Sequence, residues 1–194
     1  MSILLATMLA AAGPDARMSY PGLNRVAACV IRRDRTGAAR FADAEPGSAQ
    51  EIEAKAVLAP NISRCGEADG DRLAGMIAER FYRAVTYRPF TPPVTPEDKT
   101  ALANLALNRM AKAPVQAAAF DCLVTLRPGS AGSLVSSRSG SDAERVAMQA
   151  IADSIGMCVA QGEHISLRPL DFRLGVARAL FRRSSLADFI DRGG

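Results

Sequence analysis

The chain has no tryptophan, a single histidine and only 5% aromatic residues, although 48% of it is apolar. Its core must therefore be built from Ala, Leu, Ile, Val and Met. Small faces of that kind suit close helix packing better than β-sheets, which favour β-branched and aromatic side chains. With His164 alone and no Cys-x-x-Cys pair, nothing completes a compact metal site or a thiol-redox centre, and neither metal nor cofactor is expected. The glycines are spread through turns without a phosphate-loop pattern. The apolar stretch Met1 to Ala12 is too short to span a bilayer as a helix, so no transmembrane span is expected in the mature chain.

What is present is a pattern in the cysteines. Cys29 and Cys65 are 36 residues apart, and so are Cys122 and Cys158. Sliding 47–65 onto 140–158 aligns Gly47 with Gly140, Ser48 with Ser141, Glu51 with Glu144, Ala54 with Ala147, Ala59 with Ala152, Ile62 with Ile155 and Cys65 with Cys158. Leu58 falls on Ile151, a conservative match. Ser48-Ala-Gln-Glu51 and Ser141-Asp-Ala-Glu144 both read as capping boxes, with the serine accepting from the N3 amide and the glutamate reaching back to the cap amide. Internal self-similarity of this kind is the mark of a duplicated unit. Four cysteines allow three connectivities, and the repeat selects the within-unit pairs Cys29 with Cys65 and Cys122 with Cys158.

The expected fold is all-α: two tandem disulfide-stapled helical units joined by a linking helix. Residues 1–17 read as a signal peptide and leader, 18–88 as the first unit, 89–113 as a Pro-rich linker and linking helix, and 114–194 as the second unit. In the first unit the spacing predicts a helix over about 22–33, a short apolar turn around 38–44, a helix from Ser48 toward Cys65 that Pro60 disturbs, and a helix over about 71–87. On that last helix Leu73, Ile77, Phe81 and Val85 share one face. The second unit repeats the order, with helices over 115–125, 141–158 and 168–184 and a short segment at Leu134–Val135. Matching Ala78, Tyr82 and Arg83 to Ala177, Phe181 and Arg182 needs an offset of 99 rather than 93, so an insertion falls within 159–168.

Ala10-Ala11-Ala12 after an apolar stretch fits the small-residue cleavage rule, but no Lys or Arg precedes that stretch. An even, regularly spaced cysteine set makes most sense where disulfides form, so the expected location is periplasmic or secreted, or cytoplasmic if Met18 is the true start. His164 in a loop, with Glu163 or Asp171 nearby, reads as a solvated group rather than a general base. The acid pairs Asp69/Asp71 and Glu97/Asp98 are accounted for by helix starts. Only Lys55, Lys99 and Lys112 are lysines among the 24 basic residues, and arginine grips phosphate with a planar fork. Arg32, Arg33, Arg178, Arg182 and Arg183 are thus candidate anion or nucleic-acid contacts.

Cys29-Val-Ile-Arg-Arg-Asp34, Pro46-Gly-Ser48, Cys65 and Ala78-Glu-Arg-Phe-Tyr-Arg83 resemble the units of small uncharacterised exported helical proteins of alphaproteobacteria. The resemblance implies export and no known activity. The functional expectation is a non-enzymatic exported helical-repeat protein that acts by binding or structural association, its partner an unidentified protein or small molecule. A cytosolic nucleic-acid binder using the Arg clusters is the alternative. A cleft between the units is the feature that would favour binding, because sites of that kind need a concavity with convergent polar groups.

Overall fold

The structure, a computed structural model, describes residues 19–84, 114–159 and 168–184. Within them are eight α-helices and no strand. The first unit comprises α1 (Tyr20–Arg33), α2 (Arg35–Asp43), α3 (Ala49–Cys65) and α4 (Gly70–Ala84). The second comprises α5 (Val115–Leu126), α6 (Pro128–Ser136), α7 (Asp142–Ala152), a single 3₁₀ turn (Ile155–Met157) and α8 (Pro169–Arg183). The chain is all-α, in two tandem disulfide-stapled units. The expected leader 1–17, the linking helix within 89–113, Val85 and His164 lie outside the described residues.

Both long helices start as their sequences indicate, with one difference. Ser48 Oγ accepts from the Glu51 amide at 3.1 Å and Ser141 Oγ from the Glu144 amide at 3.2 Å. Each glutamate, however, reaches one residue beyond the cap: Glu51 Oε2 accepts from the Gly47 amide at 2.6 Å and Glu144 Oε2 from the Gly140 amide at 2.5 Å. The cap amides are already occupied by Glu45 and Arg138 carbonyls. Gly47 and Gly140 have φ of 78° and 80°, the left-handed region that glycine enters without a Cβ penalty. The other oxygen of each glutamate is left available to a tertiary partner.

Several local expectations need correction. Pro60 lies inside α3 without ending it. Both Pro60 and Ala56, whose carbonyl loses its donor, are exposed, so water satisfies what the proline removes. The proline-free counterpart is the one that breaks: α7 stops at Ala152, because Ser154 turns fully inward and its Oγ accepts from Arg127 Nε at 2.8 Å. The expected turn at 38–44 and the short segment at Leu134–Val135 are both nine-residue helices. Asp34 caps α2 by accepting from the Gly37 amide at 2.7 Å, and Pro128 opens α6 at a position that needs no amide donor.

The disulfides Cys29–Cys65 and Cys122–Cys158 tie α1 to the end of α3 and α5 to the turn after α7. At the centre α4 packs against α8 in the most extensive helix–helix contact among the described residues. Residues Leu73 to Tyr82, save Arg80, are all buried, so α4 is covered on nearly every side rather than on one stripe. The approach is close enough that a Cβ on Gly75 would sit 2.6 Å from the Leu174 carbonyl oxygen, and one on Gly175 would sit 2.1 Å from the Phe120 ring. Phe81 and Phe181 stack across this contact at 5.7 Å between ring centres.

Leu58 and Ile151 are both fully buried, at matched positions on α3 and α7. Replacing either with Ala is expected to cost about 2 to 4 kcal/mol, the range for large-to-small core changes. Urea unfolding of the two variants checks this, and a near-zero cost at one site would show that the two units do not share their packing.

Candidate ligand-binding cleft

Helix α8 carries two buried arginines that hold equivalent corners of the two units. Arg173 is 1% exposed. Its Nε and Nη2 donate to the Glu79 carboxylate at 2.9 and 2.8 Å, its Nη2 also to the Val135 and Ser137 carbonyls at 3.0 and 2.9 Å, and its Nη1 to Glu144 Oε1 at 2.6 Å. Arg178 donates through Nη2 to the Ala44 carbonyl at 2.9 Å and to Glu51 Oε1 at 2.6 Å, and through Nε to the Ala42 carbonyl at 3.4 Å. The offset of 93 carries Ala42, Ala44 and Glu51 onto Val135, Ser137 and Glu144. The free oxygen of each capping-box glutamate thus receives an arginine that also closes the carbonyls ending the preceding short helix.

Burial alone would lower the Arg173 pKa, but hydrogen bonds and charge from Glu79, with Glu144 behind them, outweigh it and drive the net shift upward. It is a permanent cation in a dry site. Its guanidinium also lies 5.4 Å from the centre of the Tyr20 ring, and the Tyr20 hydroxyl donates to Glu79 at 2.5 Å. Burial first, and the Glu79 bond second, hold the Tyr20 pKa above its usual 10.0. The folded state therefore keeps this proton to higher pH than the unfolded chain does, and the stability it contributes is whole below pH 10.0 and is lost as pH rises through the raised value. Tyr20→Phe is expected to flatten the alkaline limb of a stability-versus-pH curve while leaving its slope at neutral pH unchanged.

Between the units lies a cleft of about 660 Å³. Its first-unit wall is made by the α2–α3 corner, at Pro46, Gly47 and Glu51, and by the start of α4, at Asp69, Asp71 and Arg72. Its second-unit wall comes from the start of α5, including Ala117 and Phe120, and from one face of α8, including Arg178 and Arg182. Three ion pairs cross between the walls, the longest being Arg178 with Asp71 at 3.5 Å. Arg72 Nε meets Asp171 Oδ1 at 2.7 Å, and Arg178 meets Glu51 at 2.6 Å. Asp71 stands at the mouth with 83% of its side chain exposed, yet its pKa is raised, first by the desolvating walls around it and then by the Glu51 carboxylate.

The anion-binding candidates separate in space. Arg178 and Arg182 line the cleft, with Arg178 committed to the first-unit corner and Arg182 paired to Asp121. Arg183, half-buried and engaged, does not line it. Arg32 and Arg33 are exposed in the last turn of α1, away from the cleft lining. Among the described residues no three His, Cys, Asp or Glu side chains are placed to hold a metal ion, and no helix is long and apolar enough to cross a membrane. Sequence reasoning missed Arg173 and Glu79. The offset of 99 sets Arg72 on Asp171, opposite charges that do pair, but it sets Ala74 on Arg173 and so gives no signal for the Arg173–Glu79 pair.

Comparison with known protein families, with curated proteins and with solved structures gave no match.

Proposed function

We propose that the chain is a non-enzymatic, exported protein of the periplasm, built from a duplicated helical unit, which acts by holding a ligand in the cleft between its two units. The observation that carries this reading is the cleft, whose volume, concavity and mixed polar and apolar lining suit a small-molecule site. Ion pairs between its walls hold the shape before a ligand arrives, which reduces the ordering cost of binding. Export is supported by the two disulfides, which use every cysteine and belong to an oxidising compartment. Duplication is supported by the matched capping boxes and the matched arginine grips.

A binding role is supported by the charged side chains of the lining being committed to one another, Arg72 to Asp171 and Arg178 to Glu51, in positions that hold the walls together. The rival nucleic-acid reading leans on Arg178 and Arg182, whose charges are already met by Glu51 and Asp121, leaving Arg32 and Arg33 as its exposed contacts.

Amide-resolved NMR of the oxidised chain, titrated with mixtures of small polar molecules, tests this. Saturable shifts at Gln116, Ala117 and Gly175 that disappear in a folded Ala117→Phe variant are expected. Saturable shifts confined to other surfaces, or salt-sensitive retention on DNA or RNA with the cleft amides unmoved, would overturn it.

A further inference from the structure

We infer that the chain pairs with a second copy of itself through the outer face of α3, the two helices lying antiparallel about a two-fold axis. Helix α3 is almost entirely on the outside. Of its 17 residues only Leu58 is buried, and the side opposite Leu58 is apolar. Ala49, Ile52, Ala56, Ala59 and Pro60 follow one another there at helical spacing, all exposed, with Val57 beside them. Ile52 and Val57 are 67% and 63% exposed, which sets two large apolar side chains in water on one short face.

The matched helix of the second unit shows the same face built for water. The offset of 93 carries Ala49, Ile52, Ala56 and Pro60 onto Asp142, Arg145, Gln149 and Asp153. Those four satisfy one another: Arg145 pairs with Asp142, and the Gln149 amide donates to Asp153 Oδ1 at 2.7 Å. One copy of the duplicated helix thus has a polar outer line and the other an apolar one, and a contiguous apolar face marks an interaction surface. Val146, on α7, and Met157, beyond its end, are exposed without forming such a face.

Charge on the flank of the apolar line selects a second copy as the occupant. Glu53, Val57, Pro60 and Arg64 recur along one edge at steps of four, three and four residues. Glu53 and Arg64 are exposed, and neither has an ion-pair partner among the described residues. The steps read the same in both directions while the charge reverses. A two-fold axis between Leu58 and Ala59 turns this edge toward the same edge of the second copy, setting Glu53 against Arg64 and Val57 against Pro60 on both sides. Such a self-complementary patch is what an isologous dimer requires. The Ala56 carbonyl that Pro60 leaves without a donor keeps a bridging water at the seam, which interfaces hold at little cost. None of these residues lines the cleft, so the inference stands independently of the ligand site.

Sedimentation velocity of the oxidised chain, loaded from about 1 μM to 1 mM, tests this. The expected result is a reversible dimer. Ile52→Arg combined with Ala56→Gln, which gives α3 the residues of its second-unit counterpart, should raise the dimer Kd about tenfold or more, a change of about 1.4 kcal/mol, with the circular dichroism spectrum retained. Glu53→Arg alone and Arg64→Glu alone should each raise it about fivefold or more, because like charges set face to face are costly at an interface. An equimolar mixture of those two single variants should restore pairing, since the reversed charges then meet across the axis. These sites are exposed, so folding is not at stake in the charge variants. A chain that stays monomeric throughout the range, whether or not another protein binds the face, would overturn the inference. So would a dimer indifferent to Ile52→Arg with Ala56→Gln, or a mixture of the charge variants that pairs no better than either alone.

Discussion

Arg173→Met is expected to lower the free energy of unfolding by about 3–5 kcal/mol, the cost of removing one partner from a buried ion pair. The substitution keeps the side chain's length but strips five donors from a site where Glu79 is 1% exposed. Glu79 is left with the Tyr20 hydroxyl and with Arg83 at 3.4 Å, a half-exposed side chain that cannot replace a buried bidentate partner. The Val135 and Ser137 carbonyls and the free oxygen of Glu144 lose their donor in the same step. Urea unfolding at neutral pH measures the cost. The double variant Arg173→Met, Glu79→Leu should regain much of it, because a buried pair replaced by apolar groups is often near neutral. A single-variant loss below about 1 kcal/mol would mean that the central α4–α8 contact does not depend on this pair.

The second large effect is expected at the disulfides, where the two units should differ. Each bond closes a loop of sequence separation 36, so the chain-entropy model assigns each about 4 kcal/mol. The surroundings are unequal. Cys122 and Cys158 are 2% and 1% exposed, whereas Cys29 and Cys65 are only half-buried. Replacing Cys122 and Cys158 with Ala should therefore cost more than the same change at Cys29 and Cys65, since it also removes buried sulfur from the core. Denaturation of the two double variants, measured side by side, reads the difference. A larger loss in the first unit would show that packing around the sulfurs does not govern it.

The contrast between what the sequence discloses and what it hides follows the range of each interaction. The capping boxes at Ser48 and Ser141 are readable because their hydrogen bonds close within four residues. The cysteine pairing is readable because two equal separations sit inside one repeated pattern. Helix α2 is not, because its start, Asp34-Arg-Thr-Gly37, holds a poor helix former at the position that the Asp34 cap needs. The effect of Pro60 is misjudged from sequence because it depends on whether water reaches the Ala56 carbonyl. Arg173 escapes because its neighbours on α8, Phe172 and Val176, mark a buried stripe and a charge beside them reads as solvated. Only the approach of α4 brings Glu79 to it. The cleft is hidden for a similar reason: its walls come from segments at least 42 residues apart, and nothing local to Glu51 or Asp71 says that Arg178 faces them.

The account turns on the space between the two units being occupied by a small ligand in the protein's native setting. Native mass spectrometry of the chain purified from its own compartment without unfolding, beside the Ala117→Phe variant prepared identically, tests that most directly. The expected result is a population carrying a discrete small-molecule mass, released by mild activation and absent from the variant. A bare chain in both preparations, or an adduct that survives the filling of the cleft, would contradict it.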